Sequence, residues 1–174
     1  MAQLENDFIG LRALEPEDLD ELYRWENDVD IWLHGSTLVP YSKYALRDYL
    51  MRSTQDIFQS RQLRLMIVER TSGISIGTID LYDFDPVNLR AGIGILLDGN
   101  YRKQGFGFQA LQLMQIYAFR FLSLKQLYAY VPASNLPSCR LFLKSGYRES
   151  GLLQSWIKTV DGFADVYLMQ LIRV

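Results

Sequence analysis

Between Leu63 and Leu97 the chain runs through three extended segments with no helix among them, and this stretch restricts the fold more than any other. Leu63-Arg64-Leu65-Met66-Ile67-Val68 and Ile74-Ser75-Ile76-Gly77-Thr78-Ile79-Asp80-Leu81-Tyr82 read as paired strands joined across Thr71-Ser72-Gly73. Ala91 to Leu97 reads as a third strand, closed by the turn signal Asp98-Gly99-Asn100. A doubly wound parallel sheet needs a crossover helix between successive strands, so three strands in a row point instead to a mixed α/β layer fold.

The flanking segments complete the order. Phe8 to Ala13 alternates as a first strand, and Glu15-Pro16-Glu17-Asp18 opens a helix, with proline in the first turn and acids favourable to the helix dipole. A second helix is expected from about Ser42 to Ile57, with Leu46, Tyr49, Leu50 and Ser53 in register. Gly105 to Leu122 is apolar around most of its circumference and predicts a buried helix. Leu127 to Val131 is a short strand, and Leu136 to Ser145 a helix ended by Gly146. Asp161-Gly162 signals a type I′ hairpin near the C-terminus. With no repeat or linker, residues 1–174 read as one domain of order β-α-α-β-β-β-α-β-α-β-β.

Charge is unevenly spread. From Gly99 to Arg148 there is no Asp or Glu but there are seven bases: Arg102, Lys103, Arg120, Lys125, Arg140, Lys144 and Arg148. The rest of the chain carries −9, because 20 acids there face only 11 of the 18 bases. Eight acids lie between Glu15 and Asp30, with Arg24 the only base among them. A positive segment beside a negative one suggests an anionic ligand on the former. One histidine and one cysteine, His34 and Cys139, cannot build an ordinary zinc site or an internal disulfide. That cysteine usage, the lack of an export signal and apolar runs short of the roughly 20 residues of a membrane span predict a cytoplasmic protein with no membrane partner. No basic stripe interleaves with the 11 tyrosines, so nucleic acid is not an expected partner.

The chemistry concentrates where the third strand meets the long helix, in Ile95-Leu96-Leu97-Asp98-Gly99-Asn100-Tyr101-Arg102-Lys103-Gln104-Gly105-Phe106-Gly107. Glycines let the backbone coil and expose successive N–H groups; with the positive end of the helix dipole these form a cradle for a pyrophosphate. Gly105-Phe106-Gly107-Phe108-Gln109-Ala110 also fits the dinucleotide fingerprint of nicotinamide enzymes. That reading requires an acid about 20 residues on, and none occurs before Glu149.

Arg102-x-x-Gly105-x-Gly107 resembles the Q/R-x-x-G-x-G/A signature of GNAT acyltransferases, and Asn135-Leu136-Pro137-Ser138-Cys139-Arg140-Leu141-Phe142-Leu143-Lys144-Ser145-Gly146-Tyr147 resembles their second signature, N-x-x-S-x-x-L-Y-x-x-x-G-F. One helix and one strand separate the two, as in that family. The chain is most similar to the branch of ribosomal-protein N-terminal and spermidine acetyltransferases, whose W-x-N-D-like motif resembles Trp25-Glu26-Asn27-Asp28. The resemblance implies a GNAT fold, an α/β (α+β) arrangement with a mixed, mostly antiparallel sheet of about seven strands and helices on both faces. It also implies an N-acetyltransferase that moves an acetyl group directly from acetyl-CoA, its co-substrate, to a primary amine of a polyamine, small amine or peptide N-terminus.

The resemblance assigns roles as well. The amides of Arg102, Lys103, Gln104, Gly105, Phe106 and Gly107 would hold the pyrophosphate of coenzyme A. Ile95, Leu96 and Leu97 would pair with the pantetheine amides, Asn135 and Ser138 would flank that arm, and Lys144 would stand near the adenosine end. Asn135 is also a natural helix N-cap. Phe142 occupies the position of the tyrosine that many members use to protonate the leaving thiolate; Ser138, Tyr130 or a water are the substitutes. An attacking amine must lose a proton, for which Asp80 and Asp83 are candidates, ordinary exposed carboxylates being the plainer reading of both. His34 reads as a loop histidine, and Cys139 as packing rather than a nucleophile. A CoA-binding regulatory module without efficient turnover is the alternative of the same fold; no metal is expected, and the oligomeric state, homo-oligomer included, stays open.

Overall fold

Seven strands form one sheet in the order β1-β2-β3-β4-β5-β7-β6 in the computed structural model, which describes residues 4–28, 39–52, 56–159 and 161–173. The strands are β1 Ile9–Ala13, β2 Leu63–Glu69, β3 Ser75–Asp85, β4 Arg90–Leu97, β5 Gln126–Pro132, β6 Arg148–Thr159 and β7 Gly162–Ile172. The helices are α1 Leu19–Glu26, α2 Lys43–Arg52, α3 Ile57–Ser60, α4 Phe106–Ile116 and α5 Leu136–Lys144. Every neighbouring pair is antiparallel except β4 and β5. Parallel partners cannot be joined by a tight turn, and α4 supplies the crossover between them. This is the expected mixed sheet.

The strand period of two divides the apolar residues between the faces. Leu65, Ile67, Ile79, Leu81 and Ile93 pack with Ala110, Leu111 and Met114 of α4 and with Phe142 of α5. Met66, one residue out of phase, packs with Leu22 and Trp25 of α1. Helices therefore cover both faces, α4 and α5 on one and α1 on the other.

Several boundaries differ from the sequence reading, each for a local reason. The helix expected to run to Ile57 is described over Lys43–Arg52, and Ser53 lies outside the described residues. Asp56 then caps a separate turn, its carboxylate accepting from the Phe58 amide. β3 continues past Tyr82 to Asp85 through a register break, with Asp83 at φ 48°. The long helix passes at Tyr117–Phe121 into a π-helical turn. At the hairpin Thr159 pairs with Gly162, so Gly162 begins the return strand at φ 136° rather than ending the turn.

Candidate active site

β4 and β5 pair only at Arg90↔Gln126, Ala91↔Leu127 and Gly92↔Tyr128. Beyond Gly92 the strands have separate partners: β4 follows β3 as far as Gly77↔Leu97, and β5 follows β7 as far as Pro132↔Val166. The sheet thus opens along the C-terminal half of β4. The Asp98 amide donates to the Ile76 carbonyl at 2.9 Å, so by alternation the main-chain groups of Leu96 and Gly94 face β3 and those of Leu97 and Ile95 face the opening. The expected trio Ile95, Leu96 and Leu97 accordingly divides: Leu96 is committed to the sheet, while Ile95 and Leu97 present an unpaired edge. The Arg102 guanidinium takes one of its groups, donating to the Leu97 carbonyl at 3.0 Å.

The segment leaving β4 is fixed by Asp98, only 5% exposed. Its carboxylate accepts from the Asn100 amide at 3.0 Å, the Trp25 indole at 3.0 Å and the Arg24 guanidinium at 2.7 Å. Burial pushes this carboxyl up, but the donors and the Arg24 charge outweigh it and hold it below the ordinary range. Gln104 donates to the Asn100 carbonyl at 2.9 Å, which closes the turn. Lys103 and Gly105 both have left-handed backbones, φ 61° and 88°, which turn successive amides toward one side. Gly105 caps α4 without a side chain, and a Cβ built on it would meet nothing within 4 Å. The first amides of α4 therefore stand bare beside Arg102 and Lys103, an arrangement suited to a phosphate.

Gly107 is different. A Cβ there would lie 3.1 Å from Leu141 and 3.3 Å from Leu97, so this glycine lets α4 close on α5 and β4. Gly107 is itself buried in this contact, although its amide is one of the first-turn amides that have no acceptor within the helix.

α5 begins just beyond the free end of β5. Asn135 is its N-cap, the side-chain oxygen accepting from the Ser138 amide at 3.2 Å. Ser138 is half-buried, and both residues stand on the β5 side of the opening. Cys139 is buried, and burial, followed by the charge of Glu149, raises its thiol pKa, which disfavours the thiolate. Lys144 ends α5 with its ammonium 5.0 Å from the Phe108 ring, next to the first turn of α4. Phe142 is 4% exposed and meets Tyr147 edge-on at 5.0 Å. Burial pushes the Tyr147 hydroxyl far above its ordinary range.

On the α1 face, Asp80 is not a free carboxylate. Its two oxygens accept from Arg64 Nε at 2.7 Å and Nη2 at 3.1 Å, while Arg64 Nη1 donates to Glu26 at 2.9 Å. Burial alone would lower the Arg64 pKa, yet Asp80 raises it, so the guanidinium stays charged. Asp83 is exposed, and its charge, after burial, helps to push Tyr128 up to about 12. Tyr82, Tyr128 and Tyr130 form a chain of edge contacts, with centroids 6.0 and 5.6 Å apart. Gly92 makes room for this chain, since a Cβ there would sit 2.2 Å from the Tyr82 ring. Tyr130 is 46% exposed on the splayed part of β5. His34 lies outside the described residues. Among the described residues no His, Cys, Asp and Glu side chains gather as metal ligands.

Sequence reasoning overlooked Arg64 and the union of Trp25, Arg24 and Asp98. The indole and its acceptor are 73 positions apart, and Asp98 reads locally as an ordinary turn aspartate. The Trp25-Glu26-Asn27-Asp28 motif was the one available signal.

Residues 9–148 match the acetyltransferase (GNAT) domain family. The chain is 27% identical over 174 residues to the uncharacterized N-acetyltransferase p20 of Bacillus licheniformis, covering 99% of this chain and 97% of that protein. It is 26% identical over 149 residues to the spermidine N(1)-acetyltransferase of Escherichia coli K12, covering 83% and 75%. Its fold superposes on the crystal structure of a spermidine N-acetyltransferase from Vibrio cholerae in complex with CoA and spermine, with TM-score 0.85, 23% identity and 96% of each chain covered.

Proposed function

The chain belongs to the GNAT family of acetyltransferases, and we propose that it transfers the acetyl group of acetyl-CoA to a primary amine of a polyamine such as spermidine. The half-open edge of β4, running straight into a bare helix N-terminus, carries this reading. An extended arm bearing amides can add to Ile95 and Leu97 as a strand would, and its pyrophosphate then falls on the turn from Arg102 to Gly107. Asn135 and Ser138 flank the arm from the other side, and Lys144 faces the adenosine end. The polyamine acceptor is supported by the spermidine acetyltransferase among the relatives and by the eight acids between Glu15 and Asp30.

In the transfer a neutral amine nitrogen attacks the thioester carbonyl carbon; the C–N bond forms, the C–S bond breaks, and the nitrogen loses a proton as the sulfur gains one. The Ile95 and Leu97 amides are the protein groups placed to polarise that carbonyl. Asp80, held at both oxygens by Arg64, is suited to anchoring an ammonium rather than to taking its proton. Exposed Asp83, acting through water, is assigned that task. Ser138 and Tyr130 are the hydroxyls assigned to protonate the thiolate. Buried Cys139 has no part in it, in keeping with direct transfer.

Release of free thiol from acetyl-CoA tests the proposal, with spermidine, an alanine-first peptide and no amine compared. Spermidine-dependent release is expected. Release with the peptide alone would move the acceptor to protein N-termini, and acetyl-CoA bound without release would make the chain a CoA-binding module. The family match over residues 9–148 leaves the nicotinamide reading without support.

A further inference from the structure

The last turn of α1 touches both halves of the site. Trp25, 3% exposed, donates its indole N–H to Asp98, the residue that directly precedes the glycine turn. Arg24 adds a charged contact to the same carboxylate, with its guanidinium 5.8 Å from the Trp25 ring centroid. The next residue, Glu26, accepts from Arg64, whose other nitrogens hold Asp80 on the acceptor-side face. Asp80 pairs with Gly94, which lies on β4 between the exposed edge and the last residues joined to β5. Asn27 fastens the end of this turn: its amide donates to the carbonyls of Tyr23 at 2.9 Å and Tyr41 at 3.0 Å, and its oxygen accepts from the Tyr41 amide at 2.9 Å. Three consecutive side chains, Trp25, Glu26 and Asn27, thus have three different partners, and two of those lead to the two substrates.

A contact of this kind transmits. Asp98 satisfies the Asn100 amide and the Trp25 indole with one carboxylate. Any movement of the turn as phosphate enters it is therefore felt by the indole, and through one covalently continuous helical turn by Glu26 and Arg64. Hydrogen bonds among buried or half-buried charges are stiff and directional, so the elements they join move together.

We propose that Trp25 and Glu26 are positioning residues that couple the two substrate sites, so that occupancy of the glycine turn by CoA tightens the hold of the Arg64–Asp80 side on the amine. The inference rests on the CoA and polyamine reading given above. It assigns to the Trp-Glu-Asn motif a function neither substrate requires for its own binding, and by linkage it is reciprocal: the amine must tighten CoA by the same factor.

The test is calorimetric titration of the full chain with CoA and with spermidine, each in the absence and presence of the other. In the parent chain saturating CoA should lower the spermidine Kd by about 5-fold or more, and spermidine should lower the CoA Kd equally. Trp25→Phe, which keeps a ring and loses the donor, should bring both factors close to one, and Glu26→Ala, which removes the acceptor for Arg64, should do the same from the other end. The double variant should lose no more coupling than either single one. A merely structural role for these residues would lower the unfolding temperature and weaken each ligand while leaving the ratio intact, and that outcome overturns the proposal. Should Trp25→Phe fail to fold, Glu26→Ala alone decides. Independent binding of both ligands to the parent chain would sink the coupling but leave the proposed function standing. Failure of CoA or of spermidine to bind at all would sink the function and the coupling together.

Discussion

By the resemblance of its helix to the GNAT signature, Phe142 is assigned the position where many members carry a tyrosine that protonates the leaving thiolate. The Phe142 ring is buried edge-on against Tyr147, so the site already houses an aromatic ring. Phe142→Tyr should fold, leave acetyl-CoA affinity nearly unchanged and raise kcat, since a proton donor in reach contributes some 10²–10⁴-fold where departure is limiting. The gain should fade at high pH as the phenol, ordinarily near pKa 10, ionises. A hydroxyl that missed the opening would instead be buried without a partner, at a cost of about 1–3 kcal/mol. A slower variant with a lowered unfolding temperature, alongside a parent crippled by Ser138→Ala or Tyr130→Phe, would show that the donor is already present elsewhere.

The elements were legible to very different degrees. β2, β3 and β4 stood out because alternating apolar residues and turn chemistry are local signals, and α5 was marked at both ends by Asn135 and Gly146. The break in β3 at Asp83 was not legible: it falls next to the Tyr82 ring, whose contact with Gly92 is a relation between two strands. Nor was the parting of β4 from β5, because pairing is a relation between two strands and each strand reads the same with or without it. Hidden for the same reason, the Asp98 junction of α1 with β4 is open to a direct test. Its depressed carboxyl pKa means that it stabilises the fold above the unfolded-chain value of about 3.8 and that this contribution is lost as pH falls below it. Asp18, held by Arg12 at 2.7 Å against the upward push of burial, adds a contribution of the same sign. Asp98→Asn should therefore lower the unfolding temperature at pH 7 and narrow the difference between pH 7 and pH 3. An unchanged pH dependence would remove Asp98 from this role.

Across the whole molecule, charge is sorted by task. The seven bases and no acids from Gly99 to Arg148 include the cofactor turn and α5, while the acid-rich segment from Glu15 to Asp30 contains α1 on the opposite face. On the proposed reading, an anionic co-substrate and a cationic acceptor would be drawn to different sides of one sheet. Long-range attraction of this kind weakens as salt shortens the screening length, so KM for spermidine should rise from low to physiological ionic strength while kcat changes little. A KM indifferent to salt would show that the acids are only a solvated face.

Amide hydrogen exchange reads, residue by residue, whether acetyl-CoA completes the sheet at β4. On addition of acetyl-CoA the amides of Ile95 and Leu97 should become protected, together with those of the turn from Lys103 to Gly107. The Leu96 amide, already facing β3, should change little. Protection that appears elsewhere and leaves Ile95 and Leu97 exchanging as before would show that acetyl-CoA does not pair with β4.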